Sequence, residues 1–360
     1  MPIKFRKKLI DRVPYEAASV CDVNKNGKLD IVCGEYWYEA PHWEKHKICD
    51  VQREGEYYDD FADIPLDVNG NGHMDIITGG WWGRTLRWRE NPVVKSGEWQ
   101  IHDIDKYGPI ETIRAFDLDG DGTLEIIPNT PEMPQAVYKL VVDRYGKGTG
   151  KFDKFILMEK PSGHGLGFGD INGDGRIDIV VAKGWLEAPK DGLKGKWIFH
   201  DEFDLGLASI PILICDVDGD GLMDLIVGQA HDYGLDWWQQ RRVSKGKRSW
   251  IKHNIDSECS QYHTLEFADL DNDGELEIVT GKRYRAHRDY DPGTNDPLGV
   301  YYFKMNKENF QKYVIDYGPP KRASGVGIYF TVSDLNRNGW LDIVVPGKEG
   351  LYLFENLGKD

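Results

Sequence analysis

The sequence predicts an all-β protein, a seven-bladed β-propeller that forms a single domain over residues 1–360. Three observations support this prediction. Seven segments share the pattern D-x-[DN]-x-[DN]-G-x-x-[DE], each followed by an apolar, β-branched run. The segments recur about every 45 to 65 residues, and such a period is typical of repeat architectures. The start of the chain also resembles a strand that the last repeat lacks. The seven Asp loops begin at Asp22, Asp67, Asp117, Asp170, Asp216, Asp269 and Asp334.

Each repeat contains signals for four strands. An apolar run such as PILIC (residues 211–215) precedes the Asp loop, and a β-branched run such as LDIVVPG (341–347) follows it. The glycine at the sixth loop position permits the positive φ of a tight return. A third strand follows, as in TLRWREN (85–91), and the fourth carries the pattern Trp/Phe-x-x-His/Tyr. This pattern occurs at Trp43/His46, Trp99/His102, Trp197/His200, Trp250/His253 and Phe310/Tyr313. Four strands in each of seven repeats are typical of a propeller.

The two ends of the chain indicate how the ring closes. The last repeat ends after its third strand, GLYLFEN (350–356), and has no fourth. The N-terminal FRKKLID (5–11) matches the fourth-strand sequence FQKYVID (310–316) in pattern. We therefore expect the N-terminal strand to complete the last blade, which would remove an open sheet edge.

The composition excludes several classes of protein. With 45 Lys and Arg against 60 Asp and Glu, the net charge of −15 disfavours nucleic acid and anionic membrane surfaces as partners. Five cysteines without paired spacing predict reduced thiols and no disulfide framework. The chain contains neither a signal-peptide pattern nor an apolar run of the roughly 20 residues that a membrane span needs. The expected location is cytoplasmic by default, and the sequence leaves the oligomeric state open.

The motifs resemble a known group of repeats. The Asp loops resemble FG-GAP/VCBS-type repeats, which occur in integrin-like propellers, fungal lectins and some polysaccharide lyases. GHGLGFGDINGDG (163–175), GQAHDYG (228–234) and SQYHTLEFADLDNDGELEIVTGKRYRAH (260–287) are similar to the propeller part of aldos-2-ulose dehydratase-type enzymes, which dehydrate keto-sugars. The resemblance implies a propeller fold, and its narrower part implies chemistry on a carbohydrate.

The Asp loops offer oxygen ligands at positions 1, 3, 5 and 9, as Ca²⁺ prefers. Loops rich in Asn can also be held without metal, because Asp and Asn side chains bond nearby backbone N–H groups. Four carboxylates in one turn repel one another, and this repulsion favours structural Ca²⁺ in the loops of blades 3, 5 and 6. Their candidate ligands are Asp117, Asp119, Asp121 and Glu125, then Asp216, Asp218, Asp220 and Asp224, and finally Asp269, Asp271, Asp273 and Glu277.

The repeat separates structural histidines from candidate functional ones. His46, His102, His200 and His253 share one fourth-strand position and are predicted to be structural. Glu111, His164 and His263 each lie six residues before a loop Asp, where the inner strand begins at one mouth of the central channel. The second strand returns to that mouth, because it runs antiparallel to the first. Its end supplies further candidates: Glu35, Trp37, Trp82, Arg84, Lys183, Trp185, Gln229, His231, Lys282, Arg283, Tyr284 and His287.

Polar groups that converge at a channel mouth predict a site for a small saccharide or oligosaccharide. We expect either a divalent metal held by His164 and His263 with His231 or Glu111, or a metal-free acid–base pair to which Tyr262 contributes. Lys183 and Lys282 would stabilise an enolate. Trp82, Trp185 and Tyr284 would hold the sugar ring. The remaining substrate-binding candidates are Glu35, Trp37, Arg84, Gln229, Arg283 and His287.

Two functions fit these residues. The first is a carbon–oxygen lyase or dehydratase that catalyses β-elimination on a keto-sugar or uronate-containing saccharide. The alternative is a non-catalytic, lectin-like propeller, which would carry similar shallow pockets in every blade. The residues at the mouth differ from blade to blade, and this single asymmetric site favours the enzyme.

Overall fold

The computed structural model describes residues 2–93, 97–243 and 247–359, and it confirms the predicted fold class. Seven sheets, each of four antiparallel strands, follow one another as the blades of a propeller. A hairpin of Arg53–Glu54 and Tyr57–Tyr58 lies between blades 1 and 2, and a 3-10 helix spans Gly192–Lys194. Within the described ranges, no helix is long and apolar enough to span a membrane.

The strands of each blade run from the inner to the outer edge of its sheet. Blade 1 contains Ser19–Cys21, Asp30–Cys33, Tyr36–Glu39 and Glu44–Lys47, and blade 2 contains Ile64–Leu66, Asp75–Gly79, Thr85–Glu90 and Gln100–Lys106. Blade 3 contains Thr112–Phe116, Glu125–Asn129, Pro134–Val142 and Gly148–Pro161, and blade 4 contains Leu166–Gly169, Asp178–Val181, Gly184–Glu187 and Ile198–His200. Blade 5 contains Leu213–Cys215, Asp224–Gly228, Tyr233–Arg242 and Arg248–Ser260, and blade 6 contains Leu265–Ala268, Glu277–Gly281, Leu298–Asn306 and Asn309–Gly318. Blade 7 contains Thr331–Ser333, Asp342–Val345, Leu351–Asn356 and Phe5–Asp11.

The N-terminal strand closes the ring, as predicted. Phe5–Asp11, hereafter the closing strand, pairs antiparallel with Leu351–Asn356 in the last blade. The register joins Phe5 to Asn356 and Leu9 to Tyr352. The outer strand of blade 7 therefore comes from the opposite end of the sequence, and the last sheet has the same four-stranded form as the other six.

The Asp loops hold the first three strands of each blade together. The sixth-position glycine has a φ between 82° and 87° in all seven loops, a conformation that side chains other than hydrogen disfavour. The ninth-position carboxylate is buried and bonds to backbone. In blade 1, Asp30 accepts hydrogen bonds from the N–H of Val23 at 3.0 Å and of Ala40 at 2.8 Å. These bonds explain why the carboxylate recurs even where a loop contains few other acids.

The recurring fourth-strand aromatics pack on the third strand. The rings of His46, His102 and His200 stack on tryptophans of their own blades, with centroids 4.2 to 4.3 Å apart. His253 stacks on its tryptophan at 4.5 Å, and the Tyr313 ring lies on that of Tyr302 at 4.7 Å. The interpretation of these histidines as structural is confirmed, because the position requires a flat ring with a polar edge.

Candidate functional site

Four side chains converge at the channel mouth. Glu111, His164 and His263 lie directly before or near the inner strands of blades 3, 4 and 6, and His231 lies between the second and third strands of blade 5. One ligand atom from each lies within 4.8 Å of all the others, and all four residues are buried. These four residues are called the mouth cluster below. The repeat brings them together, because equivalent positions of different blades face one central axis.

The spacing within the mouth cluster matches a coordination sphere. His263 Nε2 lies 2.9 Å from Glu111 Oε1, and His164 Nε2 lies 3.6 Å from the same oxygen. The Nε2 atoms of His164 and His231 are 3.2 Å apart. Ligands bonded at 2.0–2.1 Å to a tetrahedral ion are separated by about 3.4 Å, and these three separations lie near that value.

The hydrogen bonds of two imidazoles fix which of their nitrogens faces the cluster. His164 Nδ1 donates to the backbone carbonyl of Ala208 at 2.8 Å, since a carbonyl oxygen can only accept. His231 Nδ1 donates to the carboxylate of Asp291 at 3.1 Å. Burial lowers the pKa of His231 to about 4, so this ring is neutral at pH 7 and its Nε2 carries a lone pair. Two Nε2 atoms at 3.2 Å therefore require a shared proton or a cation between them.

The charges around the cluster include a buried acid that stays ionised. Burial acts to raise the pKa of Glu111, but hydrogen bonds and charge from His164 and His263 hold this pKa well below its ordinary value. Arg283 lies beside it, with its Nη1 3.4 Å from Glu111 Oε1 and its Nε 2.9 Å from Glu16 Oε1. A carboxylate and three imidazoles together form a donor set suited to Zn²⁺ or another first-row divalent ion.

A cavity of about 250 Å³ opens above the mouth cluster. Glu111, Arg283, Arg288 and His287 contribute the charged and imidazole groups of its wall. The remaining lining is largely aromatic and consists of Tyr57, Phe61, Trp81, Trp82, Ala286 and Tyr290. The cavity therefore has an apolar wall beside a charged floor, as in pockets for small polar ligands.

The Arg114 side chain contacts residues of several other blades. Its side chain extends from blade 3 to the backbone carbonyl of Ile210 and to Thr264 Oγ1 at 3.0 Å in blade 6. Its guanidinium also lies 4.6 Å from the centre of the Tyr329 ring. These contacts link the inner strand of blade 3 to residues in or next to the inner strands of blades 5, 6 and 7.

The structure brings seven of the predicted residues to this site. Beyond the mouth cluster they are Arg283, His287 and Trp82, all of which line the cavity. His287 stacks on His231, with ring centroids 4.1 Å apart and an interplanar angle of 11°. These seven residues come from five blades, namely blades 2 to 6.

Three predicted site residues lie between or within blades instead. Trp37 and Trp185 are buried third-strand residues that stack on structural histidines at 4.2 Å, so neither presents a face to a sugar. Tyr262 is buried among core aromatics, and its hydroxyl donates to Asp256. Burial also raises the pKa of Tyr262 well above its usual range, and the residue is therefore unsuited to acid–base work in the cavity.

Lys282 has a structural role that the sequence did not suggest. Its ammonium is fully buried and donates to Gly293 O at 2.6 Å and to Ser260 Oγ at 2.7 Å. These bonds attach residues 283–297, the segment that carries Arg283 and His287, to blade 5. Lys282 therefore fixes the segment and does not face an enolate in the cavity.

The other predicted residues point to solvent or bond within their own blades. The Lys183 side chain is 71% exposed, with a carboxylate 3.7 Å away. Glu35 accepts hydrogen bonds from a lysine and a backbone N–H of blade 1, and Gln229 Nε2 lies 3.5 Å from a backbone carbonyl. Arg84 is exposed, and neither it nor Tyr284 is among the described residues that line the cavity.

Sequence reasoning missed seven residues of the site: Tyr57, Phe61, Trp81, Ala286, Arg288, Tyr290 and Asp291. Five of them lie in insertions where the repeat gives no register: Tyr57 in the hairpin between blades 1 and 2, and the last four in the segment 283–297. The sequence HRDYD (287–291) contained one usable signal, because it places a carboxylate four residues after a histidine.

Comparison with known proteins identifies the repeat. A sequence model described as FG-GAP-like repeat matches residues 67–127 and 216–280. These two segments, which contain the Asp loops of blades 2, 3, 5 and 6, match the FG-GAP-like repeat. No curated protein matches the sequence.

Solved structures show the same fold as this FG-GAP-like propeller at low sequence identity. One is the crystal structure of BBS1N in complex with ARL6DN, soaked with lead; it is 10% identical, has a TM-score of 0.54, and the match covers 99% of this chain and 97% of that one. The crystal of the same complex soaked with mercury is 9% identical with a TM-score of 0.54, covering 100% and 98%. At such identity the likeness concerns the fold alone.

The FG-GAP-like loops lie at the ends of the blades opposite the mouth, and two of them contain a lysine ammonium. In blade 3, Lys139 Nζ lies 2.7 Å from Asp119, 2.8 Å from Asp121 and 3.0 Å from Glu125. In blade 6, Lys304 contacts Asp271, Asp273 and Glu277 in the same way. Calcium in these loops remains a prediction, and it would have to displace the lysine. In blade 5, Gln239 and the partly exposed Arg241 contact the loop carboxylates in place of a lysine. Of the three carboxylate-rich loops, we therefore expect this one to bind Ca²⁺ most readily.

Replacing Lys139 by Met should make the protein depend on calcium. Burial alone would lower the pKa of Lys139, but its bonds to the three carboxylates raise the pKa, so the ammonium is charged in the native loop. Without it, the buried Glu125 faces Asp119 and Asp121 with no cation. We expect a lower melting temperature in EGTA that millimolar Ca²⁺ restores.

The control for this experiment is Lys154→Met, which removes an ammonium from Asp105 far from any Asp loop. Its melting temperature should be the same in EGTA and in Ca²⁺. If Lys139→Met also melts at one temperature in both, the loops are hydrogen-bonded turns with no affinity for the ion.

Proposed function

We propose that the protein is a metal-assisted carbon–oxygen lyase that catalyses β-elimination on a saccharide bound above the mouth cluster. The observation that carries the proposal is the convergence of lone pairs. His164 and His231 use their Nδ1 hydrogens elsewhere and turn both Nε2 atoms toward each other, beside the ionised Glu111. Such a pair needs a shared proton or a cation between its nitrogens, and we assign a cation to this place. A divalent ion held there would act as a Lewis acid on a substrate carbonyl or carboxylate.

Arg283 supplies a second positive group for the same charge. Burial acts to lower the pKa of Arg283, but the charges of Glu16 and Glu111 raise this pKa, and the guanidinium remains a donor. Because it lines the cavity and is held from behind by Glu16 at 2.9 Å, it can donate to a substrate oxygen without rearranging. A donor that is already fixed in place stabilises the negative charge that develops in the transition state more than a donor that must first reorganise.

The cavity wall is consistent with one sugar unit. Trp82 packs against Tyr57 and Phe61, with ring centroids 5.3 and 5.7 Å away. Such faces suit the apolar C–H surfaces of a sugar ring. The volume of about 250 Å³ lies below the roughly 300–1,000 Å³ of pockets for drug-sized ligands. We therefore favour a substrate that inserts a single unit, either a monosaccharide or the end of an oligosaccharide.

The test compares His164→Ala and His263→Ala with His102→Ala, an outer-strand histidine that stacks on Trp88. Bound metal, turnover of keto-sugars and uronate oligosaccharides, and melting temperature are measured for each variant. The two cluster variants should lose the ion and at least about 10²-fold in turnover, because Lewis-acid assistance contributes several kcal/mol. His102→Ala should change the melting temperature only.

Two results would contradict the proposal in different ways. Full turnover by folded His164→Ala and His263→Ala would exclude the mouth cluster as the site. Saccharide binding by a metal-loaded wild type that turns over none of these sugars would favour the lectin-like alternative.

A further inference from the structure

We propose that His287 is the general base of this reaction and that Asp291 is a positioning residue for both His287 and the metal-facing nitrogen of His231. This inference rests on the proposed function. It separates two tasks that the sequence assigned to the same histidines: the mouth cluster holds the ion, while a fifth group, the His287–Asp291 pair, moves the proton.

Hydrogen bonds to Asp291 fix the tautomer of His287. Its Nδ1 lies 3.0 Å from Asp291 Oδ1, and a carboxylate at this site can only accept. The backbone N–H of His287 also donates to Asp291, at 3.1 Å to Oδ2, which holds the residue and its side chain against the same carboxylate. Nδ1 therefore carries the hydrogen, and Nε2 carries the lone pair that a base requires.

The His287 imidazole is accessible from the cavity. The His287 side chain is 55% exposed and lines the cavity, whereas the imidazoles of the mouth cluster are buried and turn their Nε2 atoms inward. Among the described residues that line the cavity, His287 is the only imidazole. Glu111, the cavity's carboxylate, is already paired with His263 and Arg283. A substrate held by Arg283 thus meets one free nitrogen base.

Asp291 accepts hydrogen bonds from two histidines at once. One of its oxygens accepts from His287 Nδ1 and the other from His231 Nδ1, at 3.0 and 3.1 Å. A carboxylate behind a metal-bound histidine fixes its orientation. Here the same carboxylate also orients the neighbouring base, which stacks 4.1 Å above that ligand.

The reaction step balances without a redox partner. His287 Nε2 takes the proton from the carbon next to the substrate carbonyl or carboxylate. The electron pair of that C–H bond forms a carbon–carbon double bond while the C–O bond at the β carbon breaks. The departing oxygen takes up a proton from solvent, and the imidazolium returns its own proton to solvent. The products are an unsaturated sugar and water or an alcohol.

The experiment uses the metal-loaded full chain with His287→Ala, Asp291→Asn and the control His42→Ala, an exposed residue at the loop end of blade 1. His287→Ala should keep its metal and its KM while kcat falls by about 10²–10⁴-fold. Added imidazole should restore part of kcat, since the cavity is open where the ring was. Asp291→Asn should lose turnover without rescue by imidazole, and its metal affinity should fall by about 10–100-fold. His42→Ala should match the wild type.

Three outcomes would overturn the inference. Full kcat in His287→Ala would exclude the base while the proposed lyase function stands. Loss of metal together with activity in His287→Ala would make His287 a structural part of the mouth cluster. A metal-loaded wild type without turnover of any saccharide would end the proposed function itself, and the base with it.

Discussion

Deletion of residues 2–11 is expected to abolish the folded, soluble protein. The closing strand supplies all backbone partners for the outer edge of Leu351–Asn356, with Lys7 also bonded to Asp316 of blade 6. Each lost backbone hydrogen bond costs about 0.5–1.5 kcal/mol net, so the strand contributes a large share of a total stability of roughly 5–15 kcal/mol. The exposed edge of blade 7 would also pair with other chains. Size-exclusion chromatography and thermal unfolding measure both effects.

A permuted chain provides the control. Lys4 and Gly358 already bond to each other, with a backbone distance of 3.1 Å, so the two ends of the chain lie side by side. Moving residues 4–11 behind residue 360 with a short glycine-serine linker should therefore restore the native melting temperature. A truncated protein that is as stable as the wild type, or a permuted one that stays aggregated, would show that closure contributes little.

The second large effect is expected for Arg89→Leu. The Arg89 guanidinium is buried and lies 2.9 Å from Asp60 and 3.5 Å from Asp63, while it also donates to Gly34 O at 2.9 Å. Burial, followed by the charge of Asp60, raises the pKa of Asp63 well above its ordinary value, which shows how unfavourable a second charge is there. Without the arginine, Asp60 is a buried charge with no cation. Breaking such a buried pair costs about 3–5 kcal/mol, which denaturant unfolding should detect.

Arg6→Leu is the matched control for this change. Arg6 pairs with Glu355, but its side chain is 60% exposed and Lys8 contacts the same carboxylate. Exposed pairs contribute about 0–1 kcal/mol, so the unfolding midpoint should barely move. Equal losses for the two variants would mean that Arg89 acts through its packing and not through its charge.

The sequence predicted the ring and its mouth because the repeat provides a register. Once each blade is counted from its loop aspartate, Glu111, His164 and His263 occupy one position, and strand direction places His231 beside them. The same counting failed for Trp37 and Trp185. They follow the second strand closely, but the turn is so tight that each already belongs to the third strand and faces its own blade's histidine.

The segment 283–297 shows why site residues outside the repeat, such as Asp291, could not be predicted from the sequence. It contains no regular strand, and its path depends on tertiary bonds such as those of Lys282 to Gly293 and Ser260. Asp291 reaches His231 only because of that path. A long connection without periodicity does not reveal which of its side chains return to the site.

The lysines in the loops of blades 3 and 6 have a consequence for how the chain chooses its own strand partners. The third-strand residue opposite the ninth loop position is Lys139 or Lys304 where that position is a glutamate. In blades 1, 2, 4 and 7 the ninth loop position is an aspartate and the third-strand residue opposite it is a glutamate; the third loop position of these blades is asparagine. A third strand exchanged between blades 2 and 3 would place Glu90 among three carboxylates and leave Lys139 beside an asparagine. Charge can therefore separate the hairpins of blades 3 and 6 from those of blades 1, 2, 4 and 7 during folding, in a chain whose apolar pattern alone would allow many wrong pairings.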